Sequence, residues 1–324
     1  MGISGTTARR AVSALAVATL AAGLGGGLWD TPVRAEVRAL VAPASPTPKT
    51  PATVPTPVSS SAADPWRAPA GSPADGAQAA IAAAIAPLAA SRPADSVSVA
   101  ALDTTTGTRV GWGAGFGMTT ASVFKLLLLE GYLLQNQDWG QPPGDGAPDA
   151  LTSMIDNSDN DAADQVYAAL GGQTGVASTL TRLGLPATAL GPDDQWGLST
   201  TDAADQLTAL TALVSPQSPL SSASRAYALD LMSDVESDQR WGVGAAADPD
   251  TGFANKNGWL DVDDDGGRWV VSSVGVLQVG GHQILLAVLT QHDTDLADGI
   301  DLVESLSRSV ATTLRNVVAT ANPV

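Results

Sequence analysis

The chain has 324 residues, 33 acidic and 16 basic side chains, and a formal charge of −17. That length is a prior for one large domain or two small ones, with ample residues for a buried core. The absence of cysteine excludes disulfides, thiolate metal sites and cysteine nucleophiles, two histidines leave little room for a histidine-rich metal site, and the acidic balance argues against nucleic acid as a partner.

The charge is uneven. Residues 1–76 hold six basic and four acidic groups, whereas the remainder holds ten basic and 29 acidic ones. Residues 1–35 read as a signal peptide or N-terminal anchor. Arg9 and Arg10 precede an apolar run from Ala11 to about Trp29, and Val33-Arg34-Ala35 resembles the small-residue pattern before a cleavage site. Ala11-Val12-Ser13 lacks the remainder of a twin-arginine pattern, so a general secretory route is expected. Residues 36–76 read as a disordered linker rich in Pro, Ser and Thr, without apolar periodicity to offset its ordering entropy. Together these segments predict an extracytoplasmic domain, secreted or held at the cell envelope, with any membrane contact made through the N-terminal segment.

The folded domain is expected over 77–324. Ala77–Ala90 carries Ile81, Ile85 and Leu88 at helical spacing, and Ser96–Leu102 alternates like a strand. Asp103-Thr-Thr-Thr-Gly107 is turn chemistry leading to a strand over 109–112. Helices are expected at about 122–137, 149–156, 160–170, 173–183, 201–213 and 221–235. Strands follow at about 252–259, 268–278 and 283–290, and then a final helix at about 296–318. Strands at both ends around a helical middle predict an α+β fold: one antiparallel sheet built from both chain ends, with a helical subdomain inserted.

Several catalytic patterns are missing. The domain has no Gly-x-Ser-x-Gly elbow, no His-Glu-x-x-His and no phosphate loop. His282 and His292 read as exposed turn histidines. Asp261-Val-Asp-Asp-Asp-Gly266 starts like a calcium loop, but its twelfth position is Ser272 and a strand follows, so an acidic hairpin turn is the better reading.

Three phrases remain. Ser122-Val-Phe-Lys125 opens a helix, and its i, i+3 spacing puts hydroxyl and ammonium on one face beside the free N–H groups of a helix start. Taken alone, it also reads as a serine cap with an incidental lysine. Ser158-Asp159-Asn160 precedes another helix, which Ser or Asp would cap. Asn255-Lys256-Asn257-Gly258-Trp259 lies in a strand, where Lys256 reads either as a surface lysine or as one that holds a substrate carboxylate. Lys125 and Lys256 are the only lysines after residue 76.

The ordered series Ser122-x-x-Lys125, Ser158-Asp159-Asn160 and Lys256-x-Gly258 resembles the active-site set of class A β-lactamases and penicillin-binding proteins, over about 240 residues. The resemblance implies a β-lactamase-like fold with a five-stranded antiparallel sheet, and a monomeric serine hydrolase with no cofactor and no metal. It implies Ser122 as nucleophile, Lys125 as base or proton relay, and Ser158 as proton shuttle to the leaving nitrogen. Asn160 would hold a substrate amide. Lys256, Asn257, Gly258 and Trp259 would form the strand side of the substrate site, with the Ser122 and Trp259 N–H groups as oxyanion hole. The implied substrate is a β-lactam or a peptidoglycan stem peptide. A carboxypeptidase-like or esterase-like wall enzyme and a non-catalytic penicillin-binding or sensor domain are the alternatives.

Three departures stand out. Class A enzymes carry a deacylating Glu on a loop between the second and third motifs, where this chain has Leu190-Gly-Pro-Asp-Asp-Gln-Trp-Gly-Leu-Ser199, leaving Asp193 or Asp194 as substitutes. Asn257 stands where the family has Thr or Ser, and the stretch between Lys125 and Ser158 is short.

Overall fold

A computed structural model describes residues 73–321 apart from 114 and 116. The expected signal or anchor segment and the linker before residue 73 lie outside the described residues. Helix α1 (Pro73–Ala89) starts inside the stretch expected as linker. Pro73 occupies its first turn, where a missing N–H breaks no helical bond, and Ala77, Ile81 and Ile85 are buried along one face.

Strands β1 (Val97–Asp103) and β2 (Arg109–Gly113) come from the first part of the domain, and β5 (Ala254–Val262), β6 (Arg268–Val279) and β7 (His282–Asp293) from the last. They form an antiparallel five-stranded sheet in the order β2-β1-β7-β6-β5. β1 and β7 close it, in register from Val97 opposite Thr290 to Asp103 opposite Ile284. Alternation decides the faces. Val97, Val99, Ala101, Leu286 and Val288 pack with α1 and the final helix α8 (Leu296–Ala321), whereas Ala100, Leu285, Ala287 and Leu289 pack against the helical middle. The acidic phrase 261–266 is the turn between β5 and β6, as the strand flanks required.

The middle comprises α2 (Phe124–Asp138), α3 (Pro148–Asp156), α4 (Asn160–Ala169), α5 (Gly172–Leu183), α6 (Ala203–Val214) and α7 (Ser222–Ser233). A short ribbon of β3 (Met118–Thr119) and β4 (Thr200–Thr201), absent from the sequence expectations, ties the start of α2 to the loop before α6; two-residue strands are too short to give a period. Twelve of the 15 residues of α2 are buried, so it is a central helix, apolar all round.

Glu130 interrupts this apolar helix. Its side chain is wholly buried and neither carboxyl oxygen has a hydrogen-bond partner among the described residues. Burial pushes its pKa well above the ordinary 4.5, which keeps the carboxyl protonated rather than charged in an apolar setting. The folded protein therefore holds this proton to a higher pH than the unfolded chain. Stability from Glu130 is fully present below about 4.5 and is lost as pH rises toward the folded-state value. Glu130→Leu should raise stability at pH 7 by about 1–3 kcal/mol in urea unfolding and flatten that decline. Parallel pH dependences in the two proteins would show that Glu130 does not titrate as described.

Candidate active site

Three elements bring the sequence-predicted residues together. Ser122 lies in a 3-10 turn (Ala121–Val123) and α2 begins at Phe124, so Ser122 stands just before the helix rather than in it. Ala121 takes a φ of 43°, which turns the chain sharply into the helix. Lys125, one residue into α2, is fully buried, and its Nζ lies 3.0 Å from Ser122 Oγ. The same Nζ donates to Ser158 O at 2.5 Å and to Asn160 Oδ1 at 2.7 Å, and lies 3.1 Å from Ser158 Oγ. From β5, Lys256, also buried, donates to Ser158 Oγ at 2.9 Å and to the Asn257 carbonyl at 2.9 Å. One hydroxyl thus bridges two lysines.

Asp159 caps α4, its carboxylate accepting from the Ala162 N–H at 2.7 Å. Ser158 is held at a φ of 59°, and this left-handed turn presents both its carbonyl and its hydroxyl to Lys125. Asn160 opens α4 with an exposed side chain whose oxygen is taken by Lys125.

Neither lysine has a carboxylate within ion-pair distance among the described residues. Burial pushes Lys125 down to about 7, opposed by the more distant Asp159 and Asp164 carboxylates. Burial also takes Lys256 well below the ordinary lysine range, and the Lys125 charge pushes it further. Low-dielectric surroundings disfavour two adjacent ammoniums, so the deeper amine gives up its proton first.

The loop between the second and third motifs supplies a ring, not a carboxylate. Trp196 lies over Lys125, with Nζ 5.2 Å from the ring centroid, and stacks on Phe124 at 6.4 Å and 19°. Its Nε1 donates to Asp164 Oδ1 at 2.7 Å. Asp193 and Asp194, the expected substitutes for a loop Glu, are exposed, and Asp194 Oδ1 accepts from the Tyr167 hydroxyl at 2.8 Å. A single tryptophan in a loop has no periodicity to announce it; only its position among motif residues could have flagged it.

The histidines differ from the exposed-turn expectation. His282 Nδ1 pairs with buried Asp103 at 2.8 Å, and His292 Nδ1 with Asp265 at 2.5 Å; both rings are partly buried. Neither joins the Ser122 cluster. Strand ends beside acidic turns give each imidazole a carboxylate to cover.

β5 is the edge strand on which the third motif rides. Asn257 faces away from Lys256, as alternation requires. Its Nδ2 donates to Gln239 O at 2.8 Å and Trp241 O at 3.2 Å, and its Oδ1 accepts from Ser273 Oγ at 2.6 Å and Asn255 Nδ2 at 3.1 Å. This buried side chain is fully engaged in tying β5 to β6 and the preceding turn, so a substrate contact from it would require giving up one of these bonds. Trp259 is half-buried and meets Trp241 edge to face at 5.8 Å.

Gly258 is required by close approach. A Cβ there would stand 2.6 Å from Val123 N, 2.8 Å from Ser122 N and 2.9 Å from Thr120 O, all of them backbone atoms. The strand is therefore pressed against the turn that carries Ser122, which places the backbone of the third motif beside that serine's N–H. Gly258→Ala should cost about 1–3 kcal/mol by overpacking and displace Ser122. Urea unfolding checks this, and a wild-type value would mean that the backbone gap is wider than described.

The profile of the β-lactamase enzyme family matches residues 147–314, just over half of the chain, which include the second and third motifs. Among curated proteins, "Putative lipoprotein LppW" of Mycobacterium tuberculosis and of Mycobacterium bovis is 30% identical over 191 residues, 56% of this chain. The chain spans 59% of the length of these relatives. Among solved structures, a class A β-lactamase from Bacteroides cellulosilyticus superposes with a TM-score of 0.63 at 18% identity, covering 74% of this chain and 99% of that one. An ancestral class A β-lactamase gives 0.60 at 23%, covering 72% and 99%. A PBP-A variant, solved as an acyl-enzyme complex with penicillin G, gives 0.59 at 20%, covering 75% and 97%. The five-stranded α+β architecture is that of class A β-lactamases, and the chain belongs to the β-lactamase enzyme family.

Proposed function

We propose that this protein is an exported serine hydrolase that forms an acyl-enzyme at Ser122 with a β-lactam or a peptide-like amide. The observation that carries this reading is the Lys125 Nζ, 3.0 Å from Ser122 Oγ, with a pKa near 7 that leaves a substantial neutral fraction at physiological pH. Neutral Lys125 takes the Ser122 hydroxyl proton as Oγ bonds to the carbonyl carbon. The Ser122 and Trp259 N–H groups meet the negative charge that develops on the carbonyl oxygen. The C–N bond then breaks as the leaving nitrogen takes the Ser158 hydroxyl proton, which Lys125, now carrying the proton from Ser122, replaces along the hydrogen bond already present. Lys256, hydrogen-bonded to Ser158 Oγ, stands on the strand side of the substrate site, and exposed Asn160 offers its amide to the substrate.

The missing loop carboxylate favours acylation with slow release, a penicillin-binding or wall-sensing behaviour, over rapid β-lactam turnover. The penicillin G acyl-enzyme described for the PBP-A variant supports this chemistry on the same fold. Envelope location fits the name of the mycobacterial lipoprotein relatives, and no described helix is long and apolar enough to cross a membrane.

Incubation with a fluorescent penicillin should give a covalent adduct that Ser122→Ala abolishes; no adduct and no hydrolysis would sink the acyl-transfer reading. The acylation rate should rise with pH through about 7 as Lys125 loses its proton, and a flat profile would exclude Lys125 as the base. With a chromogenic cephalosporin the expected trace is a burst that stops near one equivalent. Sustained turnover would show that a deacylating base is present after all.

A further inference from the structure

Trp196 carries an inference that deepens the acyl-transfer reading and rests on it. The surroundings of the Lys125 Nζ are full. Ser122 Oγ, Ser158 O, Ser158 Oγ and Asn160 Oδ1 lie within 3.1 Å of it, the Trp196 ring stands at 5.2 Å, and none of the side chain is exposed. The ring is fixed from three directions. It stacks on Phe124, its Nε1 is tied to Asp164, and its loop is pinned where Gly191 N donates to Ser199 Oγ at 3.0 Å and Thr120 N to Ser199 O at 2.8 Å. The loop is closed so tightly that a Cβ on Gly191 would stand 2.2 Å from Gln195 O.

Hydrolysis of an ester on Ser122 needs a water that gives one proton to a base. The water oxygen then bonds to the acyl carbon and expels Ser122 Oγ, which takes a proton back. The basic group nearest to Ser122 Oγ is Lys125, and a water bound to it must displace one of its neighbours. Four of them belong to the residues that build the ester; the fifth is an indole, which neither accepts nor delivers a proton there. We infer that Trp196 is a positioning residue that closes the remaining side of Lys125 to water, so that an acyl group on Ser122 is retained rather than hydrolysed.

The test compares the wild type with Trp196→Ala, which opens that side, and Trp196→Phe, which keeps a ring there. In the first measurement each folded protein is treated with formaldehyde and cyanoborohydride, and methylated lysines are located by peptide mass. Lys256 is as buried as Lys125 but is not under the indole, and serves as internal reference. The expected result is Lys125 modified in Trp196→Ala and protected in the other two proteins, with Lys256 protected throughout. Modification of neither lysine, or of both together, in Trp196→Ala overturns the inference. In the second measurement the penicillin adduct should decay about tenfold faster or more in Trp196→Ala and near the wild-type rate in Trp196→Phe; equal lifetimes in all three overturn it. If the wild type forms no adduct, the acyl-transfer reading alone fails, and lysine labelling still decides whether Trp196 shields Lys125.

Discussion

Two lysines buried side by side without a carboxylate partner set the terms for the rest of this structure. Removing an ammonium from water is costly unless its donors are met or its proton is given up. Here the donors of Lys125 are met by a serine oxygen, a backbone carbonyl and an asparagine oxygen, and those of Lys256 by the same serine and the Asn257 carbonyl. Those acceptors come from the turn before α2, the left-handed residue before α4, and the edge strand β5. The three elements must therefore hold their mutual positions for either lysine to be accommodated. The same burial lowers the Lys125 pKa to about 7, against the opposing pull of the Asp159 and Asp164 carboxylates.

The remainder of the fold supports that convergence. The long apolar run of α2 anchors Lys125 inside the helical layer, and the close approach at Gly258 locks β5 against the Ser122 turn. Asn257 ties β5 to β6 and to the turn around Gln239 and Trp241, fixing the strand from its other face. Glu130, by contrast, is a buried acid kept protonated inside the same helix, its oxygens without hydrogen-bond partners among the described residues.

The surroundings of Ser122 are asymmetric. Ser158 and the two lysines stand together on one side, while the loop between the second and third motifs presents Trp196. An indole over an ammonium is attractive because the ring's negative face meets the cation, but it has no lone pair with which to take a proton from water. The family and the fold do not by themselves decide turnover.

Most of the element order was legible in the sequence, because helical and strand periods persist over many residues and the turns carry Gly, Asn and Asp. The three motifs were legible as well, since in an acidic domain the two lysines fall within them. What the sequence could not carry were facts of direction and approach. Asn257 reads as a member of the substrate site, yet strand alternation turns it into the hydrogen-bonded interior. Ser158 and Asp159 read as competing caps, and only the φ of 59° shows that one caps the helix while the other bridges the lysines. Asp193 and Asp194 read as candidate bases, and only folding shows them in solvent with Trp196 over Lys125. The sequence determined which chemical groups were present and along which period they repeat. The tertiary structure decided which of them meet, because contacts between residues 33 to 98 positions apart depend on how whole elements pack.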